Sequence, residues 1–440
     1  MHGFTAALGT LVAGVSASAG VAADDAARIT ETMRRFDAVE TSVAWPGFET
    51  ASVPLMLYDG QRTWLRGVDA WPEGFTPVGE IAVYEGRHPA HRSNTAADLD
   101  NTWIATFELH PDAQPDAFLR LMVHESFHVH QNRSLSAHAA ANEASLFTFP
   151  TTDGEELGAR RLEVEALERA LDARDDAGRR AWGARFVSLR RGRQEHLSDA
   201  EAEYERAMER KEGICDYAAW RSVSPGERPG VGARARAPDG MRDRAYWTGL
   251  AMGQLLDALR PGWQGEMVAD GRLYLDGLVA GAVAGVEPAA FDEEAERHVR
   301  AHAMEDAAAE GERRAALGED FLRAPGWRIE ILADAPLWPA GFDPLNVVSL
   351  GGGRVLHTRF VRLANDTCEI ETFDRRALSE GAGEHPLFNG VSHVVITGLA
   401  EPTLERAGTV TTIVGEGVRV RAPSTAVEVA DHIIRVELGG

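Results

Sequence analysis

Residues 123–129 read Val-His-Glu-Ser-Phe-His-Val, an HExxH motif within an apolar segment. On a helix, His124 and His128 lie one turn apart and face the same way, so that two neutral imidazoles can bind one zinc ion. Glu125 lies beside them, where it can accept a proton from a water molecule that the metal activates. The motif therefore predicts a metal-binding helix with a general base next to the ligands.

Apolar residues surround the motif on nearly every side of a predicted helix near residues 116–133, and helix-start residues precede it at 112–116. Such a helix is buried, and a buried polar group without a partner costs about 1–3 kcal/mol. A metal that binds both imidazoles would satisfy them together. The alternative is a pair of core histidines that carbonyl or carboxylate groups satisfy.

A catalytic zinc site normally has three protein ligands and an open position for water. A capping box at residues 198–201 begins a helix that carries an acidic stripe, formed by Glu205, Glu209, Glu212 and Asp216. We predict Glu212 as the third ligand, because the neighbouring Gly213 lets another backbone approach, and Glu209 is the main alternative. Asp216, one turn later, is expected to accept the second N–H of a ligand histidine.

The HESFH sequence at 124–128, followed by Glu212-Gly213 and by Asp216, resembles the gluzincin group of zinc metallopeptidases, which are proteins similar to thermolysin and to the zinc aminopeptidases. The resemblance implies a zincin-like catalytic region with one zinc ion per chain. The implied zinc ligands are His124, His128 and Glu212. The resemblance further implies Glu125 as general base and water as nucleophile.

The resemblance also implies two supporting elements. The strand before the active helix, predicted over Thr102–Glu108, would run antiparallel to a bound peptide. Tyr246 is the candidate donor that stabilises the oxyanion formed when water attacks the carbonyl. Arg242 and Arg244 could bind a substrate carboxylate, but surface or helix-partner charges are the favoured interpretation. No Gly-x-Met-Glu-Asn motif precedes the helix, so aminopeptidase activity lacks its usual marker, and the choice between endopeptidase and aminopeptidase stays undetermined.

The pattern of elements predicts an α+β fold. Residues 24–325 are expected to form the zincin-like metallopeptidase domain, with an N-terminal α/β part at 24–111 and a helical part at 112–325. From residue 326 to residue 440, β-branched runs separated by turns predict a C-terminal all-β domain.

Charge and composition exclude several classes of protein. The chain has 440 residues with 45 basic and 68 acidic side chains, a net charge of −23, which argues against binding to nucleic acid or to anionic membranes. Its two cysteines, Cys215 and Cys368, cannot form a thiolate zinc cluster, and their pairing stays open. No segment after residue 23 approaches the length of a membrane span.

Residues 1–23 are predicted to be a signal peptide, because residues 3–23 are uncharged and small and are followed at once by acidic residues. The basic start that is usual in such leaders is missing, so the alternative is an apolar first helix of a cytoplasmic protein. The expectation is an exported protein, periplasmic or secreted.

The leading functional hypothesis is zinc-dependent hydrolysis of peptide bonds, with a peptide or protein as substrate. The alternative is a catalytically silent binding or scaffold protein that keeps the fold and uses the C-terminal β domain as its interaction surface. Glu125 favours an enzyme, because a silent protein has little need for a carboxylate there. Hydrolysis of a non-peptide amide is a third hypothesis.

Overall fold

The computed structural model describes residues 27–91, 93–110, 114–227, 229–344, 346–381, 383 and 385–439. The predicted signal peptide at 1–23 and residues 112 and 113 of the predicted helix start at 112–116 lie outside the described residues. The fold is α+β, as predicted, with a mixed N-terminal sheet, a helical region and a C-terminal sheet. None of the described helices is long and apolar enough to cross a membrane.

The N-terminal sheet has six strands in the order β3-β4-β2-β1-β6-β5. Their bounds are Leu55–Tyr58 (β1), Arg62–Arg66 (β2), Thr76–Val78 (β3), Ile81–Glu85 (β4), Thr95–Leu99 (β5) and Thr102–Glu108 (β6). β1 and β6 run parallel, and the other pairs are antiparallel. A helix over residues 27–37 (α1) precedes the sheet.

The expectation that β6 pairs with a substrate strand is wrong. β1 pairs with its Ala105–Glu108 part along one edge and β5 with its Thr102–Thr106 part along the other, so β6 is an inner strand of the sheet. Among the described strands, β5 is the one at this edge of the sheet. The sequence marks β6 as a strand, but its two neighbours are fixed by long-range topology.

The helical region carries the predicted active helix, α2, over Pro115–Ser134, which lies against β5, β6 and α7. The other helices are Ser136–Ala139 (α3), Gly154–Asp172 (α4), Asp176–Gln194 (α5), Asp199–Met208 (α6), Ile214–Val223 (α7), Met241–Leu259 (α8), Trp263–Ala269 (α9), Leu275–Ala282 (α10) and Glu293–Leu322 (α11). A 3-10 turn, Glu143–Phe147, follows α3.

The helix predicted to begin at Ser198 is present but is not uniform. Its capping box is formed, since the Glu201 N–H donates to Ser198 Oγ and the Ser198 N–H donates to Glu201. A π turn over Glu209–Gly213 then separates α6 from α7. Gly213 packs so closely on α8 that an added Cβ would lie 2.5 Å from Gly249 Cα, which confirms the predicted backbone approach.

The C-terminal sheet follows the order β14-β15-β16-β11-β10-β7-β13-β12-β9-β8, with β17 and β18 attached through β7. Its strands are Trp327–Phe342 (β7), Val347–Gly351 (β8), Arg354–His357 (β9), Phe360–Ala364 (β10), Glu369–Phe373 (β11), Ala377–Gly381 (β12), Val391–Leu399 (β13), Thr403–Ala407 (β14), Val410–Gly415 (β15), Val418–Pro423 (β16), Val427–Ala430 (β17) and Ile433–Leu438 (β18). Its apolar core includes Phe147 from the 3-10 turn, so the helical region and this sheet are in direct contact.

Candidate metal centre

Helix α2 brings His124 and His128 together, as their spacing predicts. The centroids of the two rings lie 4.9 Å apart. Their side chains are 9% and 12% exposed, because apolar residues of α2 bury the helix on most sides. The site is therefore almost closed to solvent but not sealed.

Glu212, from the π turn, completes a group of three ligand atoms. Its Oε2 lies 3.1 Å from His128 Nε2 and 3.5 Å from His124 Nε2, and its side chain is 3% exposed. Two ligand atoms of one tetrahedral zinc ion lie about 3.3 Å apart, as follows from bond lengths of about 2.0–2.1 Å. The observed separations therefore fit a single ion between the three side chains.

The partners of the two imidazoles decide which ring nitrogens carry protons. His124 Nδ1 lies 2.8 Å from Asp216 Oδ1, which is the contact predicted for Asp216. His128 Nδ1 lies 3.0 Å from Gln131 Oε1. The amide orientation of Gln131 is fixed because its Nε2 donates to the carbonyls of Arg210 and Lys211. Since carboxylate and amide oxygens only accept, each Nδ1 carries the proton.

In neutral histidines of this tautomer, each Nε2 carries a lone pair. Two lone pairs and the Glu212 carboxylate oxygen then point at one another, which is unfavourable unless a cation lies among them. The pKa values of His124 and Glu212 also show that positive charge is favoured among these groups. Burial lowers the pKa of His124, but Asp216 and Glu212 together raise it to about 10. Burial raises the pKa of Glu212, yet the two histidines hold it well below its usual range.

Glu125 is half-buried beside the two histidines. Burial raises its pKa, and the positive charge of protonated His124 and His128 opposes this, with a net increase. A carboxylate with a raised pKa is a better proton acceptor near neutral pH than an ordinary one. The structure thus places a base next to the candidate ligands.

Glu209, the alternative ligand, is engaged elsewhere. Its two carboxylate oxygens accept hydrogen bonds of 2.7 Å from Arg190, and Thr248 donates to it at 2.6 Å. Arg190 belongs to a buried arginine–glutamate cluster, which consists of Arg190, Arg193, Arg244, Glu163, Glu205 and Glu209. The structure therefore brings Glu212, and not Glu209, to the histidines.

Tyr246 and Arg242, one turn apart on α8, cover the other side of Glu212. The Tyr246 ring stacks on His124 with centroids 5.6 Å apart and an angle of 7° between the planes. Arg242 Nη2 donates to Glu212 Oε1 at 2.9 Å and to the Tyr246 hydroxyl at 3.3 Å. Arg242 thus contacts the candidate ligand. Arg244 is fully buried in the arginine–glutamate cluster and is a helix-partner charge, one of the two roles that the sequence favoured.

Cys215 gives the site a second possible set of donors. Its Sγ lies 3.3 Å from His128 Nδ1 and donates to the Lys211 carbonyl at 3.0 Å. His124, His128 and Cys215 form a group that could hold a metal ion. Cys215 and Cys368 are both buried free thiols, which answers the question of their pairing. The thiol, however, contacts His128 Nδ1, whereas Glu212 contacts Nε2 of the same ring.

Two residues support the site beyond those that the sequence predicts. Gln131 lies three residues after His128 on α2 and orients its ring. Glu143 gave no signal in the sequence, because it lies in an irregular segment 99 residues from Arg242, its partner.

Comparisons with protein-family models, with curated proteins and with solved structures found no match for this chain.

Proposed function

We propose that the protein is a zinc-dependent hydrolase of peptide bonds with a zincin-like catalytic region. The observation that carries the proposal is the convergence of His124 Nε2, His128 Nε2 and Glu212 Oε2 at separations that suit one ion. Their protons are directed away from this point by Asp216 and Gln131. An arrangement of acceptors around one point is what a cation requires.

The donor set favours zinc. Imidazole nitrogen suits zinc, copper, iron and nickel, whereas magnesium and calcium prefer oxygen ligands only. Two histidines and one glutamate form a donor set that catalytic zinc uses, with a further position left for water. The His124–Asp216 contact supports this assignment, because metal-bound histidines generally donate their other N–H to such a partner.

When bound, zinc supplies a Lewis acid that polarises water and the substrate carbonyl. Glu125 accepts the proton of the attacking water and delivers it to the amide nitrogen. The carbon–oxygen bond forms and the carbon–nitrogen bond breaks, so that water and amide give acid and amine. Burial raises the pKa of Tyr246, which keeps its hydroxyl protonated as a donor. In the structure that hydroxyl contacts Arg242, and its oxyanion role stays a prediction.

A peptide substrate is supported by the edge strand β5, which lies against α2. Unpaired backbone groups at a sheet edge can bind an extended peptide as an added strand. The leader-like residues 1–23 extend the proposal to an enzyme that acts after export.

The test is zinc content and peptide cleavage of the purified chain beside Glu125→Gln and His128→Ala. We expect about one zinc per chain in the wild type and in Glu125→Gln, with hydrolysis lowered about 10²–10⁴-fold in the latter. His128→Ala should lose the metal. Asp116→Asn, an exposed change on the same helix, is the control. Full activity of Glu125→Gln would contradict the base assignment, and bound zinc without cleavage of any peptide would favour the scaffold alternative.

A further inference from the structure

The 3-10 turn Glu143–Phe147 connects the C-terminal sheet to the metal centre. At its far end, Phe147 is buried in the core of that sheet, with its ring 5.6 Å from Phe342 and 5.5 Å from His385. His385 Nδ1 accepts from two backbone N–H groups, so its Nε2 carries the proton and donates to the Ala144 carbonyl at 2.9 Å. The C-terminal sheet therefore holds this turn by packing and by a hydrogen bond.

At its near end, the turn presents Glu143 to the surroundings of the metal centre. The Glu143 carboxylate accepts from Arg242 Nη1 and, at 3.3 Å, from the Tyr204 hydroxyl. Lys211 Nζ lies 4.0 Å away. Two hydrogen-bond donors from two different helices and one further cation from the π turn thus surround one carboxylate, which fixes its position relative to the helices.

Arg242 divides its guanidinium between two glutamates. Nη1 donates to Glu143, and Nη2 donates to Glu212 Oε1 at 2.9 Å. The other oxygen of Glu212 is the one that faces the histidines. Lys211 Nζ lies 3.7 Å from Glu212 Oε1. Two cations and two carboxylates therefore balance one another beside the site, and the orientation of Glu212 depends on where Glu143 holds Arg242.

A cleft of about 230 Å³ lies at this junction. Arg242 and Phe147 line it from the helical region, and Val347, Val348 and Ser349 line it from the C-terminal sheet. Because the cleft separates the C-terminal sheet from Arg242, the sheet is connected to Arg242 through the turn Glu143–Phe147.

We propose that the C-terminal sheet, by docking on the turn Glu143–Phe147, orients Glu212 through Glu143 and Arg242 and so sets the zinc affinity of the centre. This inference rests on the proposed zinc site. Glu143 is a positioning residue, since it acts through Arg242. Its loss would leave the guanidinium held only by Glu212 and Tyr246 and would leave one of the two cations uncompensated beside the metal, and both effects weaken zinc binding. The loss of His385 changes no charge near the metal and acts through position alone.

The experiment measures the affinity of the full chain for Zn²⁺ by competition with a zinc-chelating fluorophore. Glu143→Gln and His385→Ala should each weaken binding by about 10-fold, the lower end of the range for partners that support a metal ligand. The double variant should bind zinc no more weakly than the single variant with the lower zinc affinity, because both changes break the same connection. Urea unfolding in chelator verifies that each variant is folded.

Two matched changes serve as controls. Glu203→Gln removes another carboxylate that accepts from a tyrosine hydroxyl, that of Tyr274. His393→Ala removes another histidine of the C-terminal sheet, one that pairs with Glu330. Both should bind zinc like the wild type.

Unchanged zinc affinity in folded Glu143→Gln or in folded His385→Ala would overturn the inference, and so would fully additive losses. If the wild type binds zinc and these variants bind it equally tightly, only the proposed connection is contradicted. If the wild type binds no zinc, the proposed metal centre is contradicted, and the inference that rests on it is contradicted too.

Discussion

Glu209 and Glu212 lie three residues apart in one π turn, yet the regions around them balance negative charge in different ways. Glu209 faces the arginine–glutamate cluster, where Arg190 contacts both of its oxygens. Glu212 faces two imidazoles through one oxygen and shares Arg242 with Glu143 through the other. The first region supplies its own cations, and the second brings acceptors together.

The difference separates a region that stabilises the fold from a region that can bind a cation from outside the protein. In the cluster, burial opposes ionisation, but the surrounding arginines hold the pKa of Glu205 well below its usual range, and the glutamates raise that of Arg190. The cluster therefore contains its own cations, which favour the charged form of its carboxylates, although burial still raises the pKa of Glu209. At Glu212, the histidines can bring protons or leave the space to a metal, so this region can exchange its cation. We infer that the cluster stabilises the helices that hold the exchangeable site.

Arg244→Met should have the largest effect. Arg244 is 0% exposed and donates to Glu163 and Glu205, so its removal leaves buried carboxylates without a partner. Breaking such a buried pair costs about 3–5 kcal/mol of the free energy of unfolding. Urea unfolding in the presence of a chelator measures it without any contribution from metal.

Arg323→Met is the control for this change, because Arg323 pairs with Glu319 at the surface, where both side chains are more than half exposed. Exposed pairs contribute about 0–1 kcal/mol. If Arg244→Met were as mild as Arg323→Met, the cluster would not be what stabilises this region.

Glu212→Gln and Glu209→Gln form an isosteric pair that tests the comparison directly. Glu212→Gln removes a charged ligand, so zinc affinity should fall by more than the 10–100-fold typical of a supporting partner. Glu209→Gln should keep the zinc affinity but lower the free energy of unfolding by a few kcal/mol, because Arg190 loses its main partner. Competition with a fluorescent chelator and urea unfolding, applied to both variants, measure the two effects. Loss of zinc from Glu209→Gln alone would reverse the ligand assignment.

Local patterns predicted the parts of the site that lie within one helix. The spacing of His124 and His128 places both rings on one face, and the spacing of Glu212 and Asp216 places both carboxylates beside the histidines. The same local pattern could not separate Glu212 from Glu209. The choice depends on Arg190, which comes from another helix, and on a π turn that looks like an ordinary helix in sequence.

Asp216→Asn should have a smaller effect than Glu212→Gln. The asparagine can still accept from His124 Nδ1, but without its charge it makes the imidazole a weaker ligand. We expect zinc affinity to fall by about 10-fold, at the low end for such partners. Asp257→Asn, at a carboxylate that accepts from Tyr217 and Trp263 instead, should leave the affinity unchanged. Equal affinity in wild type and Asp216→Asn would mean that the contact does not support a ligand.

Tertiary pairing explains what the sequence could not predict. β6 reads as a strand, but nothing in its residues shows that β1 and β5 cover both of its edges. The sequence leaves Arg244 as a surface charge or a helix partner, and only the fold, which brings Glu163 of α4 and Glu205 of α6 to it, selects the second role. Glu143 stands in a segment without periodicity, so only the folded chain reveals that it shares Arg242 with Glu212.

Cys215→Ser should have the smallest effect, and it decides between the two sets of donors. Burial raises the pKa of the Cys215 thiol well above its usual value, with nearby carboxylates adding to the increase. Since the thiolate is the form that binds metals, this raised pKa opposes the use of Cys215 as a ligand. Its Sγ also lies at the Nδ1 of His128, the nitrogen whose proton Gln131 accepts. We therefore expect Cys215→Ser, like the control Cys368→Ser, to bind zinc as the wild type does, and the cobalt-substituted wild type to show no thiolate-to-cobalt charge-transfer absorption. Such an absorption, lost in Cys215→Ser alone, would replace Glu212 by Cys215 as the third ligand and would make Glu212 a partner of Arg242 only.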